Sequence, residues 1–379
     1  MTRHRVEIME VDSGKRIRDW LRVPYVVFEN DASWVARPNI IERQRLSRKH
    51  NAFFSFGEAT FFVAYRNGLP AGRISAQVNH RHLAFRGDAT GHFGFFETVD
   101  DDEVASRLIE KARAWLQARG MRRMVGPFAF TINEESGLLV DGFDTLPAIM
   151  SGHSRPWMGR LLEANGFAKE VDLLAYRVKP NRMPAEISRL ATLARRSGRI
   201  HVRELDMAHY AREIATILDI FNDAWSGNWG FVPFSDVEMI AISRQLRPLI
   251  RGKFGRIVEI DGRPGAMMLV LPDINRIFAP WRGRLFPFNW AKLAYAIWAD
   301  QWQSARVPLL GMRAEIRHTH LAPAVLSLLV SEFLSLARSY DLDWVELSWV
   351  LESNRPMVKL GELAAGPACK TYRVYAAPL

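Results

Sequence analysis

Two carboxylates occur close together in the segment Trp344 to Glu352, whose residues alternate in the manner of a β-strand. Because successive side chains of a strand point to opposite faces, Glu346 and Glu352 are expected on one face. A carboxylate on a central strand can accept a proton from an ammonium group that is about to act as a nucleophile. Glu352 is the first candidate for this general base and Glu346 the second. An ion pair with Arg313 or Lys359 is the alternative role.

A second candidate site is the connection between a predicted strand, Val307 to Glu315, and a predicted long helix, Pro323 to Tyr340. The start of a helix presents backbone N–H groups without partners and the positive end of the helix dipole, and both attract phosphate. Arg317 would add positive charge, and the small Ala322 would allow close approach. The connection therefore predicts a pyrophosphate-binding loop, with an ordinary connecting loop as the alternative.

The elements that must position these residues form two similar series, one in each half of the chain. Each series has a hairpin, a strand, a long helix, a strand, a shorter helix and a final strand, which predicts mixed α/β sheets in two domains. The first series is Ala59 to Arg66, Pro70 to Val78, Gly91 to Glu97, Val104 to Ala118, Arg122 to Phe130, Arg155 to Ala164 and Glu170 to Val178. The second is Arg256 to Ile260, Pro264 to Leu271, Val307 to Glu315, Pro323 to Tyr340, Trp344 to Glu352, Pro356 to Ala365 and Lys370 to Tyr375.

Further helices are predicted at Lys15 to Leu21, Tyr210 to Trp225 and Asn289 to Gln303. The segment Lys179 to Pro184 contains two prolines, which interrupt regular structure. It predicts the boundary between a domain at residues 1–180 and a domain at residues 185–379.

Composition limits the class of protein. The chain has 379 residues, of which 48% are apolar and 24% charged, so it is expected to fold into two globular domains. A single cysteine, Cys369, excludes an internal disulfide and a Cys/His zinc cluster, and no metal site is expected. The amino-terminal residues have no apolar core of a secretory signal, and no segment is expected to span a bilayer. A cytoplasmic location is therefore predicted.

The charge of the chain predicts an anionic partner. A formal net charge of +10 attracts phosphorylated cofactors, nucleic acids or anionic membranes. Nucleic acid is not favoured, because the chain has no zinc finger, RRM signature or recognition helix. Clusters of aromatic residues at Phe221 to Phe234 and Phe278 to Trp290 are typical of either two large cores or an apolar tunnel. A basic and aromatic surface for an anionic membrane is the hypothesis for Arg276, Arg282, Arg284, Phe286, Phe288 and Trp290.

The connection Leu309 to Ala324 resembles motif A of the GNAT acyltransferases, with Arg317 and Ala322 at its outer positions and His320 where that motif has glycine. Over nearly its whole length the chain resembles a bacterial family of tandem GNAT-like proteins that includes the bacterial ceramide synthases. The matching segments are 51–58, 70–76, 91–97, 126–144, 221–225, 230–233, 271–275 and 346–354.

The resemblance implies two tandem GNAT-type domains and an acyl-CoA-dependent N-acyltransferase without a permanently bound cofactor. The implied reaction transfers a long-chain acyl group to a sphingoid base, sphinganine or 3-oxosphinganine. The second domain is expected to bind acyl-CoA in a gap between splayed strands, through Met312, Arg313, Ala314, Arg317, His318, Thr319, His320, Leu321, Ala322 and Asn354. Among these residues, a backbone N–H near Met312 or Ala314 is expected to bind the thioester carbonyl. Asn354 could instead cap the next helix.

The first domain is not expected to bind CoA, because acidic residues follow Glu97 and would repel a pyrophosphate. It is expected to shape the acceptor pocket between the two halves instead. The candidate substrate-binding residues of both domains are His92, Glu97, Asn133, Glu134, Trp225, Phe231, Asp273 and Asn275. A buried core histidine is the alternative for His92.

The proton donor to the departing thiolate is expected to be Tyr372 or Tyr375, since the helix at Pro356 to Ala365 lacks the tyrosine that many GNAT enzymes use. Cys369 as a nucleophile is a less favoured alternative. Two other functions remain open: a GNAT enzyme that uses acetyl-CoA or aminoacyl-tRNA on another amine, and a non-catalytic basic binding protein on a GNAT scaffold.

Overall fold

The structure is a computed structural model that describes residues 6–181 and 183–379. Residues 1–5 and Arg182, which belong to the amino-terminal segment and to the domain boundary read from the sequence, lie outside the described residues. The strands are β1 Val6–Glu10, β2 Gly57–Arg66, β3 Leu69–Asn79, β4 Thr90–Thr98, β5 Arg123–Gly126, β6 Leu138–Asp141, β7 Ala168–Val178, β8 Ile200–Glu204, β9 Gly255–Ile260, β10 Arg263–Pro272, β11 Ser304–Met312, β12 Trp344–Leu351 and β13 Lys370–Pro378.

The α-helices are α1 Gly14–Val27, α2 Asn39–Arg45, α3 His80–Arg86, α4 Asp102–Gln117, α5 Trp157–Ala164, α6 Ala185–Arg196, α7 Tyr210–Trp225, α8 Asp236–Leu246, α9 Asn275–Phe278, α10 Asn289–Trp298, α11 Ala314–Arg317, α12 Ala322–Ser339 and α13 Arg355–Ala365. The chain divides into two compact units. Unit 1 is Met1–Leu173, Ile277–Asn289 and Lys370–Leu379, and unit 2 is Leu174–Arg276 and Trp290–Cys369. These units are defined by compactness, and the domains at 1–180 and 185–379 stay a sequence prediction.

Unit 1 is built on a sheet in the order β1, β2, β3, β4, β5 and β13, with β6 also paired to β13. The hairpin between β2 and β3 turns at Asn67 and Gly68, whose φ angles of 53° and 76° suit the Asn-Gly pair that predicted this turn. The helices α1 and α4 pack on β3. The core of unit 1 lies between these helices and the sheet.

The helix α4 shows how the sequence specifies one of these elements. Asp101 accepts hydrogen bonds from the backbone N–H groups of Glu103 and Val104, so it caps the helix at the start that the acidic residues predicted. Apolar residues then recur at helical spacing, and Val104 and Leu108 are fully buried on this face. The cap and the apolar face together place α4 against the sheet.

Unit 2 contains the strand order β8, β9, β10, β11 and β12. Its hairpin, β9 and β10, turns at Asp261 and Gly262 with φ angles of 51° and 78°, as the Asp-Gly pair predicts. The strands β11 and β12 are parallel and are joined by α12, which also packs against α6. The helix α7 packs on β10 and β11.

The helix α12 is long and apolar enough to cross a membrane by length and composition, which differs from the expectation that no segment would qualify. More than half of this helix is buried inside unit 2, including Leu328, Leu329 and Phe333. A helix in the core of a globular protein can have the same length and apolar composition, because a protein core and a bilayer both favour apolar side chains.

Several elements differ from the sequence prediction. The strand predicted from Arg122 to Phe130 ends at Gly126, because Pro127 has no backbone N–H for a sheet. The strand predicted from Val307 to Glu315 runs from Ser304 to Met312, and the following residues form the short helix α11. The helix predicted to reach Gln303 ends at Trp298. Elements that were not predicted are β1, β6, β8, α2, α3, α6, α8, α9 and α11. Most of these are short, and short elements show little periodicity.

Candidate active site

The parallel strands β11 and β12 separate part of the way along their length. Their pairing runs from Ser304 opposite Trp344 to Val307 opposite Leu347, whereas the strands continue to Met312 and Leu351. Residues 308–311 of β11 are only half buried, although β10 covers the other edge of this strand. The strands therefore diverge after Val307, as the resemblance implied for the strands that admit a thioester arm.

Glu346 lies at the start of this divergence and is fully buried. One oxygen of its carboxylate accepts a hydrogen bond from Nε of Arg177 at 3.1 Å, and the other accepts one from the hydroxyl of Ser348 at 2.9 Å. The contact with Ser348 is the one that alternation predicts, because both side chains share a face. Arg177, rather than Arg313 or Lys359, is the cation paired with Glu346.

Arg306 is a second buried charge at the divergence, and sequence reasoning missed it. It is opposite Glu346 in the strand register and 1% exposed. Its Nε and Nη2 donate to the carbonyl oxygen of Ser348 at 3.3 and 3.2 Å, and its guanidinium lies 4.5 Å from the ring centre of Trp349. The sequence did contain a signal, an arginine between the apolar residues Ala305 and Val307 of a strand. A charged residue in such a position is rarely buried without a partner, so it indicates a functional or structural contact.

The other predicted base, Glu352, lies just after the end of β12 and is partly exposed. Asn354 follows it, and its side-chain oxygen accepts a hydrogen bond from the N–H of Met357 at 3.4 Å. Asn354 therefore caps α13, the structural role that the sequence left open beside cofactor binding. Lys359 is exposed on the same helix.

The predicted pyrophosphate loop already uses several of its own backbone donors. The N–H of Ala314 donates to Oδ2 of Asp223 at 2.7 Å, so Met312 is the remaining predicted donor to a thioester carbonyl. The N–H of Leu321 donates to Oγ1 of Thr319, and that of Ala322 to the carbonyl of Thr319. These two N–H groups at the start of α12 therefore have acceptors within the loop itself.

The cationic side chains of this loop fall into two groups. Arg313 contacts Asp219 and donates to the carbonyl of Pro264, and Arg317 donates to the carbonyl of Ala224 at 2.9 Å. His318 and His320 are exposed. The two arginines anchor the loop to the rest of unit 2, whereas the two histidines face the solvent.

The predicted aromatic residues of unit 2 lie together beside β11. Trp225 stacks on Phe221 with ring centres 4.7 Å apart, and Phe231 lies 5.9 Å from Phe221. A side chain at Gly311 would overlap Trp225, so the glycine allows the indole to lie against the strand. Asp273 and Asn275 are buried in the turn after β10. The carboxylate of Asp273 accepts one hydrogen bond from the N–H of Asn275 at 3.1 Å and another from the hydroxyl of Ser304 at 3.2 Å.

Unit 1 contains the corresponding parallel strands, β4 and β5, but its backbone closes the gap between them. The N–H of Phe128 donates to the carbonyl of Phe93 at 2.8 Å beyond the last β4–β5 pair, His92 with Val125. A methyl group at Gly94 would overlap the carbonyl oxygen of Phe128. The space that is open in unit 2 is therefore filled by backbone in unit 1.

The residues of unit 1 that were predicted to bind the amine substrate lie in two places. His92 is buried against His82 and Phe128, and burial, together with the charge of His82, lowers its pKa to about 3. Glu97 and Glu134 belong to a second group, in which Glu97 pairs with Arg73 at 2.9 Å and Glu134 lies 3.8 Å from Arg45. The backbone of Asn133 is bonded to Thr131 in the loop that carries Glu134. A neutral His92 is not a proton donor at neutral pH.

The two predicted proton donors also lie in unit 1, on β13, and both are buried. The hydroxyl of Tyr375 donates to Glu163 at 3.1 Å, and burial together with Glu163 raises the pKa of Tyr375 to about 12. The role of Tyr372 or Tyr375 as the proton donor to the departing thiolate stays a prediction. In unit 2, the thiol of Cys369 donates to the carbonyl of Ala175 at 3.3 Å, a structural contact for the alternative nucleophile.

Comparison with known proteins identifies the family. The chain is 35% identical over 372 residues to the bacterial ceramide synthase of Caulobacter vibrioides (strain NA1000 / CB15N), and the match covers 98% of this chain and 97% of that protein. The chain belongs to this tandem GNAT N-acyltransferase family. A second member, Protein YghO of Escherichia coli (strain K12), is 33% identical over 359 residues and covers 95% of the chain and 92% of its own length. No model of a known protein family matches the chain.

Solved structures show the same fold at low sequence identity. The tandem GNAT protein from the clavulanic acid biosynthesis pathway has a TM-score of 0.56 and 11% identity, and the match covers 99% of this chain and 98% of that protein. A GCN5-related N-acetyltransferase from Sphaerobacter thermophilus has a TM-score of 0.55 and 10% identity, with 98% and 95% covered. The tandem GNAT fold and the family are therefore confirmed, and this family member is an N-acyltransferase, as the sequence predicted.

Proposed function

We propose that this N-acyltransferase transfers a long-chain acyl group from acyl-CoA to the amine of a sphingoid base, sphinganine or 3-oxosphinganine. The name of the Caulobacter relative, bacterial ceramide synthase, supports this substrate, since the two chains match over nearly their full lengths. The divergence of β11 and β12 is the structural observation that carries the acyl-CoA part of the proposal.

A gap between two parallel strands suits the pantetheine arm of CoA. That arm is extended and contains amide groups, and the edge of a strand offers backbone donors and acceptors to such a ligand. The edge of β11 that faces β12 extends five residues past the last pair, from Pro308 to Met312. A thioester bound there would lie beside the buried pair of Glu346 and Ser348.

The proposed step is direct aminolysis of the thioester. The amine nitrogen attacks the carbonyl carbon, the carbon–sulfur bond breaks, and the nitrogen loses a proton while the sulfur gains one. We propose that Glu346 takes the proton from nitrogen through the Ser348 hydroxyl, and the hydrogen bond from Ser348 to Glu346 supports this role. Arg177 holds this carboxylate in place, and Arg306 orients the carbonyl of Ser348 at the same point. Glu352, at the far end of β12, stays the other candidate base.

The test follows free thiol during incubation of the full chain with sphinganine and acyl-CoAs of several lengths, with the N-acyl product identified by mass spectrometry. Glu346→Gln is expected to lower kcat by roughly 10²–10⁴-fold, the usual contribution of a general base, and to change the KM for acyl-CoA much less. Glu259→Gln is the matched control, because Glu259 pairs with Arg203 at 2.7 Å on another strand of unit 2.

No thiol release with sphinganine would refute the proposed substrate, and release only with acetyl-CoA and another amine would replace it. Full activity of Glu346→Gln together with loss of activity in Glu352→Gln would move the base to the end of β12. If both variants remain fully active, neither glutamate is the base.

We propose further that the enzyme collects its lipid substrate at an anionic membrane surface. From Asn275 to Ala299 the sequence contains four basic residues and no acidic residue. Large aromatic side chains of this segment are exposed, among them Phe288 at 74% and Trp298 at 78%. The helix α10 is apolar in sequence, yet Ala296 is its one buried residue between Asn289 and Trp298. Exposed aromatic and basic residues of this kind favour the interface of an anionic bilayer.

Flotation with liposomes tests this partner. Binding to vesicles of phosphatidylglycerol should exceed binding to vesicles of phosphatidylcholine and should fall as salt is raised. Trp298→Ala should weaken binding, whereas Phe85→Ala, at an exposed aromatic residue elsewhere, should leave it unchanged. Equal binding to both vesicles, or none, would remove the membrane from the proposal.

A further inference from the structure

The strand β11 contains a β-bulge at the point where it leaves β12. Arg306 pairs with Leu271 of β10, whereas Leu309 pairs with Leu269, so β11 has one residue more than β10 in this interval. The interval includes Val307, the last residue of β11 that pairs with β12. An extra residue of this kind changes the alternation of side chains along the bulged strand.

The bulge places side chains of β11 on one face that would otherwise lie on two. The register partners of Arg306, Leu309 and Gly311 are alternate residues of β10, and alternate residues of a strand share a face. Partners in an antiparallel pair point to the same side, so these three residues of β11 share a face as well. Glu346 is the partner of Arg306 in β12 and therefore faces the same side of the sheet.

A tryptophan of α7 lies over this face at Gly311. A side chain at Gly311 would overlap Cζ3 and Cη2 of Trp225, so the tip of the indole lies directly over the glycine. The ring also stacks on Phe221, which is buried at 5% exposure and holds the indole in place. Trp225 itself is only partly buried, so part of its apolar surface is open to a ligand.

An apolar path connects the buried glutamate with this ring. The β10 partners of Arg306 and Gly311 are four residues apart, which is about 13 Å along a strand. Leu309 lies between Arg306 and Gly311 on the same face and is only partly buried. Leu309 and Trp225 therefore form an apolar surface that begins beside Glu346.

The position of the proposed base decides which substrate meets this surface. Glu346 is proposed to take the proton from the amine through Ser348, so the amine nitrogen must lie on the face that carries Glu346. A chain attached to that nitrogen leaves the reacting centre along the same face. A short amine ends before Gly311, whereas a long alkyl chain reaches the indole and buries apolar surface against it.

We propose that Trp225, seated on Gly311, binds the alkyl chain of the lipid amine and makes the enzyme selective for long-chain amines. Trp225 is thereby a specificity-determining residue for the acceptor. This inference rests on the proposed function, because it takes Glu346 as the base and a long-chain amine as the acceptor.

Steady-state kinetics with two amines and one acyl-CoA test this role. Trp225→Ala should lower kcat/KM for sphinganine by roughly tenfold or more, mainly through a higher KM, because the apolar contact is lost. The same variant should leave kcat/KM for 2-amino-1-butanol nearly unchanged, since this amine is too short to reach the ring. Trp115→Ala is the matched control, because Trp115 is a partly buried tryptophan of a long helix in unit 1 and should alter neither value.

A second variant tests the contact between the ring and the strand. The methyl group of Gly311→Ala must displace the indole, so this variant should also lower kcat/KM for sphinganine more than for 2-amino-1-butanol. When Trp225 is already alanine, Gly311→Ala should have little further effect, because the ring that it displaces is absent. Fully additive effects of the two changes would refute the seated ring as the source of selectivity. Circular dichroism checks that each variant is folded.

The remaining outcomes separate this inference from the proposed function. If thiol release with sphinganine is normal and folded Trp225→Ala keeps the selectivity of the wild type, the function stands and the role of Trp225 fails. A loss in Trp225→Ala that depends on acyl length, with acetyl-CoA and palmitoyl-CoA compared, and not on amine length would assign the ring to the acyl chain instead and refute the proposal.

Direct binding tests Trp225 even if the proposed function fails. If the wild type releases no thiol with sphinganine, isothermal titration calorimetry of the full chain with 2-amino-1-dodecanol, without acyl-CoA, still compares the two proteins. Weaker binding by Trp225→Ala than by the wild type would support the contact with a long-chain amine, and equal binding would refute it.

Discussion

Replacing His92 by phenylalanine tests the electrostatics of unit 1 in a measurable way. His92 is 7% exposed, its ring centre lies 4.8 Å from that of His82, and its Nδ1 has no hydrogen-bond partner within the described part of the chain. Burial and the neighbouring His82 lower its pKa from 6.5 to about 3. Phenylalanine keeps an aromatic ring against Phe128 and cannot take up a proton.

The magnitude follows from proton linkage. Between pH 6.5 and about 3 the unfolded chain binds a proton at His92 and the folded chain does not, so stability falls as the pH falls through this window. Each pH unit corresponds to about 1.36 kcal/mol, so His92 should cost the folded state about 2 kcal/mol at pH 5. This cost is nearly absent above pH 7. The His92→Phe variant should therefore lose about 2 kcal/mol less than the wild type between pH 7 and pH 5.

The assay is urea denaturation at pH 7 and pH 5, with unit 1 followed by hydrogen exchange of peptides from β4, because two units need not unfold together. Phe128→Leu is the control, since it alters packing at the same place and keeps the histidine; its loss of stability should be similar at both pH values. NMR of the histidine ring gives the pKa directly. Titration of His92 near pH 6.5, or an unchanged pH dependence in His92→Phe, would refute the reasoning.

Three further changes test other parts of the structure. Gly94→Ala should destabilise unit 1 by about 2–4 kcal/mol, because its methyl group would overlap the carbonyl of Phe128. Gly14→Ala is the control, because open space surrounds Gly14. Thermal denaturation compares the two variants, and equal melting temperatures would contradict the closed gap between β4 and β5. Ser235→Ala removes the capping box of α8 and should cost about 1 kcal/mol in the same measurement. Arg306→Gln should lower kcat/KM for acyl-CoA by roughly tenfold to a hundredfold, and steady-state kinetics with no such change would count against the divergence as the thioester site.

Local sequence rules predicted much of the fold. The pairs Asn67-Gly68 and Asp261-Gly262 predicted both hairpin turns, because these residues tolerate positive φ angles. The range of α7 was predicted to the residue from its apolar periodicity. The contact between Ser348 and Glu346 follows from strand alternation. These features depend on residues close in the chain, whose spacing is readable without a structure.

Contacts between distant residues could not be predicted in the same way. Arg177 pairs with Glu346 across 169 positions of sequence, and no spacing rule connects them. Arg73 of β3 pairs with Glu97 of β4, and Arg45 of α2 lies 3.8 Å from Glu134 of the loop after Phe130. The two glutamates were predicted to bind substrate, but their arginine partners were not predicted. The closed gap of unit 1 depends on the backbone near Pro127 approaching Gly94, which a strand prediction from Arg122 to Phe130 did not foresee.

By itself the sequence determined the tandem GNAT fold, the family and the class of reaction, because periodicity, turn residues and family motifs are properties of neighbouring residues. The tertiary structure alone decided which charges meet. It paired Glu346 with Arg177, placed Arg306 where β11 and β12 diverge, and joined Arg73 to Glu97 beside Trp20. Burial and partners determine what an ionisable side chain does, and both arise only when distant segments pack together.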